Sequence, residues 1–369
     1  METAVFGREG RVERFSEFHK CSKMSDDTSI YRSFVVTGIF RETENAKTFE
    51  IEPADGRQVD YTAGQFITFV FKKGERENRR SYSFSSAPAL GEPMRITIKR
   101  VVNGEYSRQL LSRIKVGDLL TSSGISGFFK LPEDLSKFRQ LTFLAAGSGI
   151  TPVYALLKTV LHTTDLPIIL IYSNYSKEDT IFHDELVALQ TKFPGRFMIE
   201  FLFSQSETIR RRFSKFLLNE LLEQHKIPLQ EALFYLCGPE SYMLVAGISL
   251  ITAGVPSAHI KKENFNTRQH AFKPVPPDTE PHKVRVLLNG SRFEFETHYP
   301  DTILAAAKKQ NIHLPYSCEA GNCGSCTATR VKGMTWMAYN EVLVDDEIAK
   351  GKVLTCQGFP VGGDIELEF

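Results

Sequence analysis

Three of the chain's six cysteines fall within nine positions: Cys318, Cys323 and Cys326 of the stretch CEAGNCGSC. A fourth, Cys356, follows after 29 further residues. Thiols at such short spacing form disulfides or bind soft metals. The first 23 residues mix charges and lack an apolar run, so no secretory signal is expected. The thiols are then expected in a reducing cytoplasm, where structural disulfides are rare. Zinc commonly takes two Cys-x-x-Cys knuckles, and only Cys323 and Cys326 form one.

The pattern C-x4-C-x2-C with a distant fourth cysteine is instead the plant-type ferredoxin spacing for a [2Fe–2S] cluster. It makes Cys318, Cys323, Cys326 and Cys356 the expected ligands. Gly321 and Gly324 allow positive φ, so that backbone amides can turn toward anionic sulfur. A zinc site and four unrelated thiols are the alternatives.

Three further constellations lie upstream. In RRSYSFSS, strand alternation puts Arg80 and Tyr82 on one face and Ser83 on the other. Arginine suits a pyrophosphate, a tyrosine ring can lie against a flat heterocycle, and serine can bond its polar edge. In NGEYSRQLL, Gly104 and Ser107 stand at an expected helix start, where amides and the macrodipole favour phosphate. The turn Gly147-Ser148-Gly149-Ile150-Thr151-Pro152 follows a buried strand and opens a helix, an anion-binding arrangement short of the full dinucleotide fingerprint. Cys237-Gly238-Pro239 closes a later strand at the edge where open α/β sheets bind ligands.

RRSYS, GEYS, GSGITP and CGP, in this order and spacing, resemble the ferredoxin–NADP reductase-like flavoproteins. With a ferredoxin-type segment at the C-terminus, the chain resembles the reductase components of multicomponent oxygenases. Among these, ENFNT (263–267) and KVLTCQGFP around Cys356 are similar to the reductase subunits of phenylacetyl-CoA epoxidases. The resemblance covers about Ile30 to Phe369. It implies that Arg80, Tyr82 and Ser83 hold FAD, with Lys99, Gly104 and Ser107 lining its ring and pyrophosphate. Gly147, Gly149 and Thr151 would face NADPH or NADH, and Cys237, Gly238 and Pro239 the nicotinamide. Cys237, Tyr82 and Ser83 would stand at the reacting centre, with Glu263 and Phe265 at the flavin edge. Two positions depart from the pattern. Tyr175 and Asn264 stand where relatives often carry arginine, and Lys177 or the Arg210–Arg212 run could meet a 2′-phosphate in place of the first. Lesser features carry bland expectations: Trp336 packs, His313 is structural, Asp345-Asp346-Glu347 is a solvated turn and Cys21 a free thiol.

The elements that must position these residues fall into three textures. Residues 30–133 read as short β-branched and aromatic runs punctuated by turns, an antiparallel β-barrel with one helix capped by Ser107. Residues 138–268 alternate strand and helix, a doubly wound α/β unit. Within it, 207–225 reads as an amphipathic helix with Ile209, Phe213, Phe216, Leu217, Leu221 and Leu222 on its apolar face. Residues 269–281, with four prolines in QHAFKPVPPDTEPH, read as a stiff spacer that leaves the last unit mobile. Residues 282–369 open with two strands about Asn289-Gly290 and a helix capped by Asp301 or Thr302, an α+β ferredoxin (β-grasp) unit. Residues 1–29 read as an N-terminal extension, either a disordered tail or a start misassigned ahead of Met24.

Composition removes several classes. Apolar residues make up 42%, charged residues 24%, and the net charge is +1, so no basic excess points to nucleic acid. No apolar run reaches the ~18 residues of a membrane span. The expected activity follows from electron count: nicotinamide gives two electrons together, the cluster takes one at a time, and flavin does both. The expectation is NAD(P)H to FAD to [2Fe–2S] to an external acceptor, a diiron oxygenase. A desaturase, another hydroxylase or a separate ferredoxin are alternative acceptors. A cluster-bearing carrier without NAD(P)H activity is the alternative of another class.

Overall fold

The computed structural model describes residues 31–73, 76–205, 212–266 and 274–369. The expectations for residues 1–29, Cys21, Ile209, Arg210, Arg211, Thr267 and the first half of the spacer lie outside the described residues. Three sheets follow one another along the chain.

The first sheet contains β1 (Arg32–Thr43), β2 (Ala46–Pro53), β3 (Phe66–Lys73), β4 (Arg76–Ser83), β5 (Arg95–Lys99) and β6 (Leu119–Ser126). Its order is β4-β3-β6-β1-β2-β5, and its pairings are antiparallel. A bridge between Phe84 and Ile96 brings the β4 edge round to the β5 edge. That one bridge starts the closure of the sheet into a barrel. Phe34, Phe49, Ile51, Ile67, Phe69 and Ile96 fill the interior. The single helix α1 (Glu105–Arg113) starts two residues earlier than expected, with Gly104 as its N-cap. Ser107 sits inside the helix, where its Oγ accepts from the Val101 amide at 3.1 Å. The expected serine cap is therefore a tie between the helix and the preceding turn.

The second sheet is parallel throughout, in the order β11-β10-β7-β8-β9. Its strands are β7 (Gln140–Ala146), β8 (Ile168–Asn174), β9 (Phe197–Phe203), β10 (Ala232–Cys237) and β11 (Ile260–Glu263). Leu141, Phe143 and Ala145 of β7 join α2 (Ile150–Thr163) and α3 (His183–Lys192) in one core. Leu144 and Ala146 point the other way, into α4 (Lys215–Gln224) and α5 (Glu240–Thr252). Helices thus cover both faces, the doubly wound arrangement. α4 begins at Lys215, where the Ser214 hydroxyl accepts from Leu217 N, so the helix is shorter than the 207–225 expectation. With that start, Leu217, Leu218, Leu221 and Leu222 are buried, while Phe216, expected on the apolar face, is 80% exposed.

Strand order reverses at β7, so a crevice opens at the carboxyl ends of β7 and β10. There the Gly147–Gly149 turn meets the end of β10. A Cβ on Gly149 would come within 2.1 Å of the Cys237 carbonyl oxygen, which only glycine avoids.

The third sheet, β13-β12-β16-β14-β15, is mixed. It comprises β12 (His282–Leu288), β13 (Ser291–Thr297), β14 (Thr327–Met337), β15 (Lys352–Leu354) and β16 (Gly358–Glu368). α6 (Ile303–Lys309) packs into its core through Ile303, Leu304, Ala306 and Ala307. Thr302, not Asp301, caps it, accepting from Ala305 N at 3.2 Å. α7 (Asp345–Ala349) takes Asp345, Asp346 and Glu347 as its first turn, where carboxylates complement the helix dipole. The described half of the spacer is fastened down. Asp278 accepts from Gly362 N at 2.6 Å and Glu280 N at 3.0 Å, and pairs with His282 at 2.8 Å.

Gly149→Ala should cost about 1–3 kcal/mol through overpacking against Cys237. A lowered urea midpoint relative to the parent, both measured without nucleotide, checks this.

Candidate functional site

Two neighbouring cavities hold most of the expected residues. The first, about 590 Å³, is lined by Arg80, Tyr82, Ser83, Lys99, Gly104, Ser107, Thr151 and Phe265, among others. Its size is that of an ordinary small-molecule site. The second, about 380 Å³, shares Arg80, Ser83 and Phe265 and continues to Glu263, Cys318 and Cys323. Elements distant in sequence therefore converge on one cleft.

The polar end of the first cavity is built for an anion. Arg80 donates to the Arg79 carbonyl at 2.7 Å, and its guanidinium lies 4.8 Å from the centre of the Tyr106 ring. This holds it beside the first turn of α1, whose amides add positive potential. Lys99 approaches from β5, its Nζ 3.7 Å from where a Gly147 Cβ would stand. Thr151, 2% exposed, has a buried hydroxyl without a partner, and it lines the same cavity. An unpaired buried hydroxyl costs about 1–3 kcal/mol unless a ligand completes it. Tyr82 supplies a flat wall, and burial pushes its phenol well above the ordinary value. Cation, helix terminus and aromatic wall together fit the pyrophosphate and ring of FAD, while the orphaned Thr151 hydroxyl stands where the α/β unit borders that cavity.

At the junction of the cavities, Ser83 Oγ donates to Glu263 Oε2 at 3.0 Å, with both residues buried. Burial raises the Glu263 carboxyl from 4.5 to about 8, against the pull of the Ser83 hydrogen bond. Glu263 is the register partner of Cys237 across β10 and β11. Cys237 is itself fully buried and lines neither cavity; burial, then the Glu263 carboxyl, push its thiol well up. Gly149 packs beneath it, Gly238 lies against Ala146, and Pro239 caps α5. Tyr175 is 54% exposed and takes a hydrogen bond from Gln205. Lys177 stands with Glu42, Glu178, His183 and Glu185 at a separate surface cleft.

The four cysteines of the third unit come together as two pairs. Cys318 is drawn down to about 6 by a hydrogen bond from Cys323 and by the Ala320, Asn322 and Cys323 amides. Cys326 is pushed up by its hydrogen bond to Cys356 and by burial. Gly321 and Gly324 take φ of 77° and 74°, the backbone that turns those amides inward. Among the described residues no three His, Cys, Asp or Glu groups converge on one ion position. Two thiol pairs with inward amides match a two-iron centre, in which each iron takes two thiolates. Trp336 packs 6.0 Å from Phe359, as expected of a structural residue.

Several contacts at this site carry no local signal in the sequence. Arg79, 3% exposed, donates to the Tyr316 carbonyl at 3.0 Å and lies 3.6 Å from its ring centre. Ser81 and Ser317 hydroxyls meet at 2.8 Å, and Asn322 Nδ2 donates to the Asn266 carbonyl at 3.0 Å. Alternation along β4 could have placed Arg79 and Ser81 on the face opposite Arg80. Their partners, more than 230 residues away, had no signature.

Comparison with known proteins agrees in order and position. Family profiles described as an oxidoreductase FAD-binding domain, an oxidoreductase NAD-binding domain and a 2Fe-2S iron-sulfur cluster binding domain match residues 33–131, 143–246 and 286–361. The chain is 30% identical to one of the subunits of the 1,2-phenylacetyl-CoA epoxidase from Escherichia coli, over 92% of this chain and 98% of that one. It is 28% identical to the ferredoxin reductase component of 3-ketosteroid-9-alpha-monooxygenase from Mycolicibacterium smegmatis, over 90% and 96%. The fold is similar to that of phthalate dioxygenase reductase, with a TM-score of 0.58 and 23% identity over 92% of this chain and 98% of that one. FAD, a [2Fe–2S] cluster and a nicotinamide nucleotide are therefore the cofactors and donor of this fold. Among the described residues no helix is long and apolar enough to cross a membrane.

The raised Glu263 carboxyl gives a stability prediction. Above 4.5 the unfolded carboxyl ionises while the folded one stays neutral, so the parent loses stability as pH rises to about 8. The stability margin of Glu263→Gln over the parent should grow by about 1 kcal/mol per pH unit across that window, then level off. Thermal unfolding between those limits checks it; a margin independent of pH would contradict a buried neutral carboxyl.

Proposed function

Because the chain belongs to the family of NAD(P)H-dependent flavo-iron–sulfur reductases that serve multicomponent oxygenases, we propose that it feeds a diiron oxygenase of the phenylacetyl-CoA epoxidase kind. The three working units run from 30 to 133, 138 to 268 and 282 to 369, and the protein works in the cytoplasm. The observation that carries the reading is the shared lining of the two cavities, which brings the flavin-side pair Ser83 and Glu263 into one cleft with Cys318 and Cys323. A reductase needs such continuity and a passive binding protein does not.

FAD, when bound, accepts hydride and releases single electrons. The chain's own residues do the rest. Arg80, Lys99, Gly104 and Ser107 bind and orient the pyrophosphate, and Tyr82 sets the plane of the ring. Gly147, Gly149 and Thr151 shape the floor on which NADPH or NADH lies, while Gly238 and Pro239 border it and the buried Cys237 supports them from behind. The buried Cys237 thiol acts there by shape and by excluding water, since burial keeps it protonated. Ser83 holds a proton between its hydroxyl and Glu263, which stays neutral to about pH 8 and can release that proton through the cleft. Phe265, 45% exposed, covers the outer edge. Cys318, Cys323, Cys326 and Cys356 hold the cluster.

The likeness to a 3-ketosteroid monooxygenase reductase, at 28% identity, supports a second reading in which the acceptor is a different oxygenase. Co-purification of the oxygenase partner from the native cell separates the two.

Purified protein should carry a yellow flavin band that NADH or NADPH bleaches; no bleaching by either nucleotide would sink the enzyme reading. Cys323→Ser should abolish transfer to one-electron protein acceptors while flavin reduction persists, as stopped-flow absorbance would record. Ser83→Ala should slow flavin reduction by about 10- to 100-fold with little change in nucleotide KM, the pattern of a lost transition-state contact.

A further inference from the structure

Strand β4 serves two places at once. Arg80, Ser81 and Tyr82 line the flavin cavity, and Arg79 lies outside that lining. Arg79 and Ser81 also reach the loop that carries Cys318 and Cys323. Arg79 Nη1 donates to the Tyr316 carbonyl at 3.0 Å, its guanidinium lies 3.6 Å from the Tyr316 ring centre, and Ser81 Oγ meets Ser317 Oγ at 2.8 Å. Tyr316 and Ser317 are the two residues immediately before Cys318. Arg79 is held in turn by the Tyr31 hydroxyl at 3.2 Å and the Glu77 carboxylate at 3.6 Å, so it is buried with partners on both sides.

The two thiol pairs are anchored differently. Cys318 is preceded by the residues bound to β4, and Cys323 by Asn322, which donates to the Asn266 carbonyl at 3.0 Å. Cys326 and Cys356 are tied within their own unit, where Thr355 N and Oγ1 both donate to the Cys326 carbonyl. The Cys318–Cys323 half is thus tied by polar contacts of its immediate neighbours to the flavin and nucleotide units, while Phe128 of the flavin unit packs on the core around Cys326 and Cys356.

We propose that Arg79 and Ser81 are positioning residues for electron transfer, holding the Cys318–Cys323 half of the cluster loop at a fixed distance from the flavin face of the same strand. The proposal rests on the reductase reading above and adds the route and its fastening. Each hydride supplies two electrons, and they cross this junction singly: one-electron oxidation on the flavin side matches one-electron reduction on the cluster side, and the external acceptor clears each electron before the next. The spacer then serves to connect the units, and side-chain contacts set their resting geometry.

The test uses the full-length holoprotein with three substitutions, Arg79→Lys, Ser317→Ala, which removes the contact to Ser81 from the loop side, and Tyr316→Leu. The last removes the ring without altering β4, and so covers a failure of the Arg79 variant to fold. In anaerobic stopped-flow, flavin bleaching by NAD(P)H should stay within about twofold, while the following cluster reduction slows about tenfold or more, because electron transfer falls steeply as the carriers separate by a few ångströms. Amide hydrogen exchange over residues 315–324 of the oxidised protein, without nucleotide, should rise in each variant. Cluster reduction and exchange at parental levels in all three would overturn the proposal. Equal slowing of flavin bleaching and cluster reduction would also overturn it, by showing that the substitutions act through the flavin face. A parent protein whose flavin is not bleached would instead overturn the reductase reading on which the proposal stands.

Discussion

Electrons that arrive in pairs must leave singly, and the two carriers must stand close without mixing their binding sites. A single strand meets this constraint. Arg80, Ser81 and Tyr82 of β4 line the flavin cavity, while Arg79 and Ser81 bind the cluster loop through Tyr316 and Ser317. The two sites are thus held to one strand, and their cavities share Arg80, Ser81 and Ser83.

The fastening is chemically economical. A guanidinium buried over an aromatic ring contributes about 2 kcal/mol, and each neutral hydrogen bond about 1 kcal/mol. Arg79 would be costly alone in the interface, and the nearby Glu77 carboxylate and Tyr31 hydroxyl offset that cost. The Tyr316 ring also takes the Lys308 ammonium at 3.7 Å, and Lys308 pairs with Glu319 at 2.7 Å. Charge therefore runs in an alternating chain from β4 to the residue beside Cys318. At the end of the same strand, the buried Ser83–Glu263 pair gives this junction a proton that remains in place at neutral pH.

What could be read from the residues alone depended on the range of the interaction. The cysteine spacing, the positive-φ glycines between them and the strand–helix alternation are local patterns, and the structure has them. Local reading erred where a neighbour decided the outcome. Ser107 looks like a cap, yet Gly104 takes that place because Ser107 bonds back to Val101. Phe216 fits an apolar stripe until the helix start at Lys215 turns it to solvent. The proline-rich spacer reads as free, but Asp278 pins its second half to Gly362, across 84 positions. Arg79 and Ser81 were invisible for the same reason: an arginine and a serine in a strand look solvent-facing until the loop that covers them is known.

If this chain itself carries electrons from flavin to cluster, both carriers must respond in one sample. Anaerobic addition of one equivalent of NAD(P)H is followed by flavin absorbance and by the paramagnetic resonance of the reduced cluster. The cluster signal should appear as the flavin band partly recovers, with no acceptor protein present. A fully bleached flavin beside a cluster that stays oxidised would contradict it.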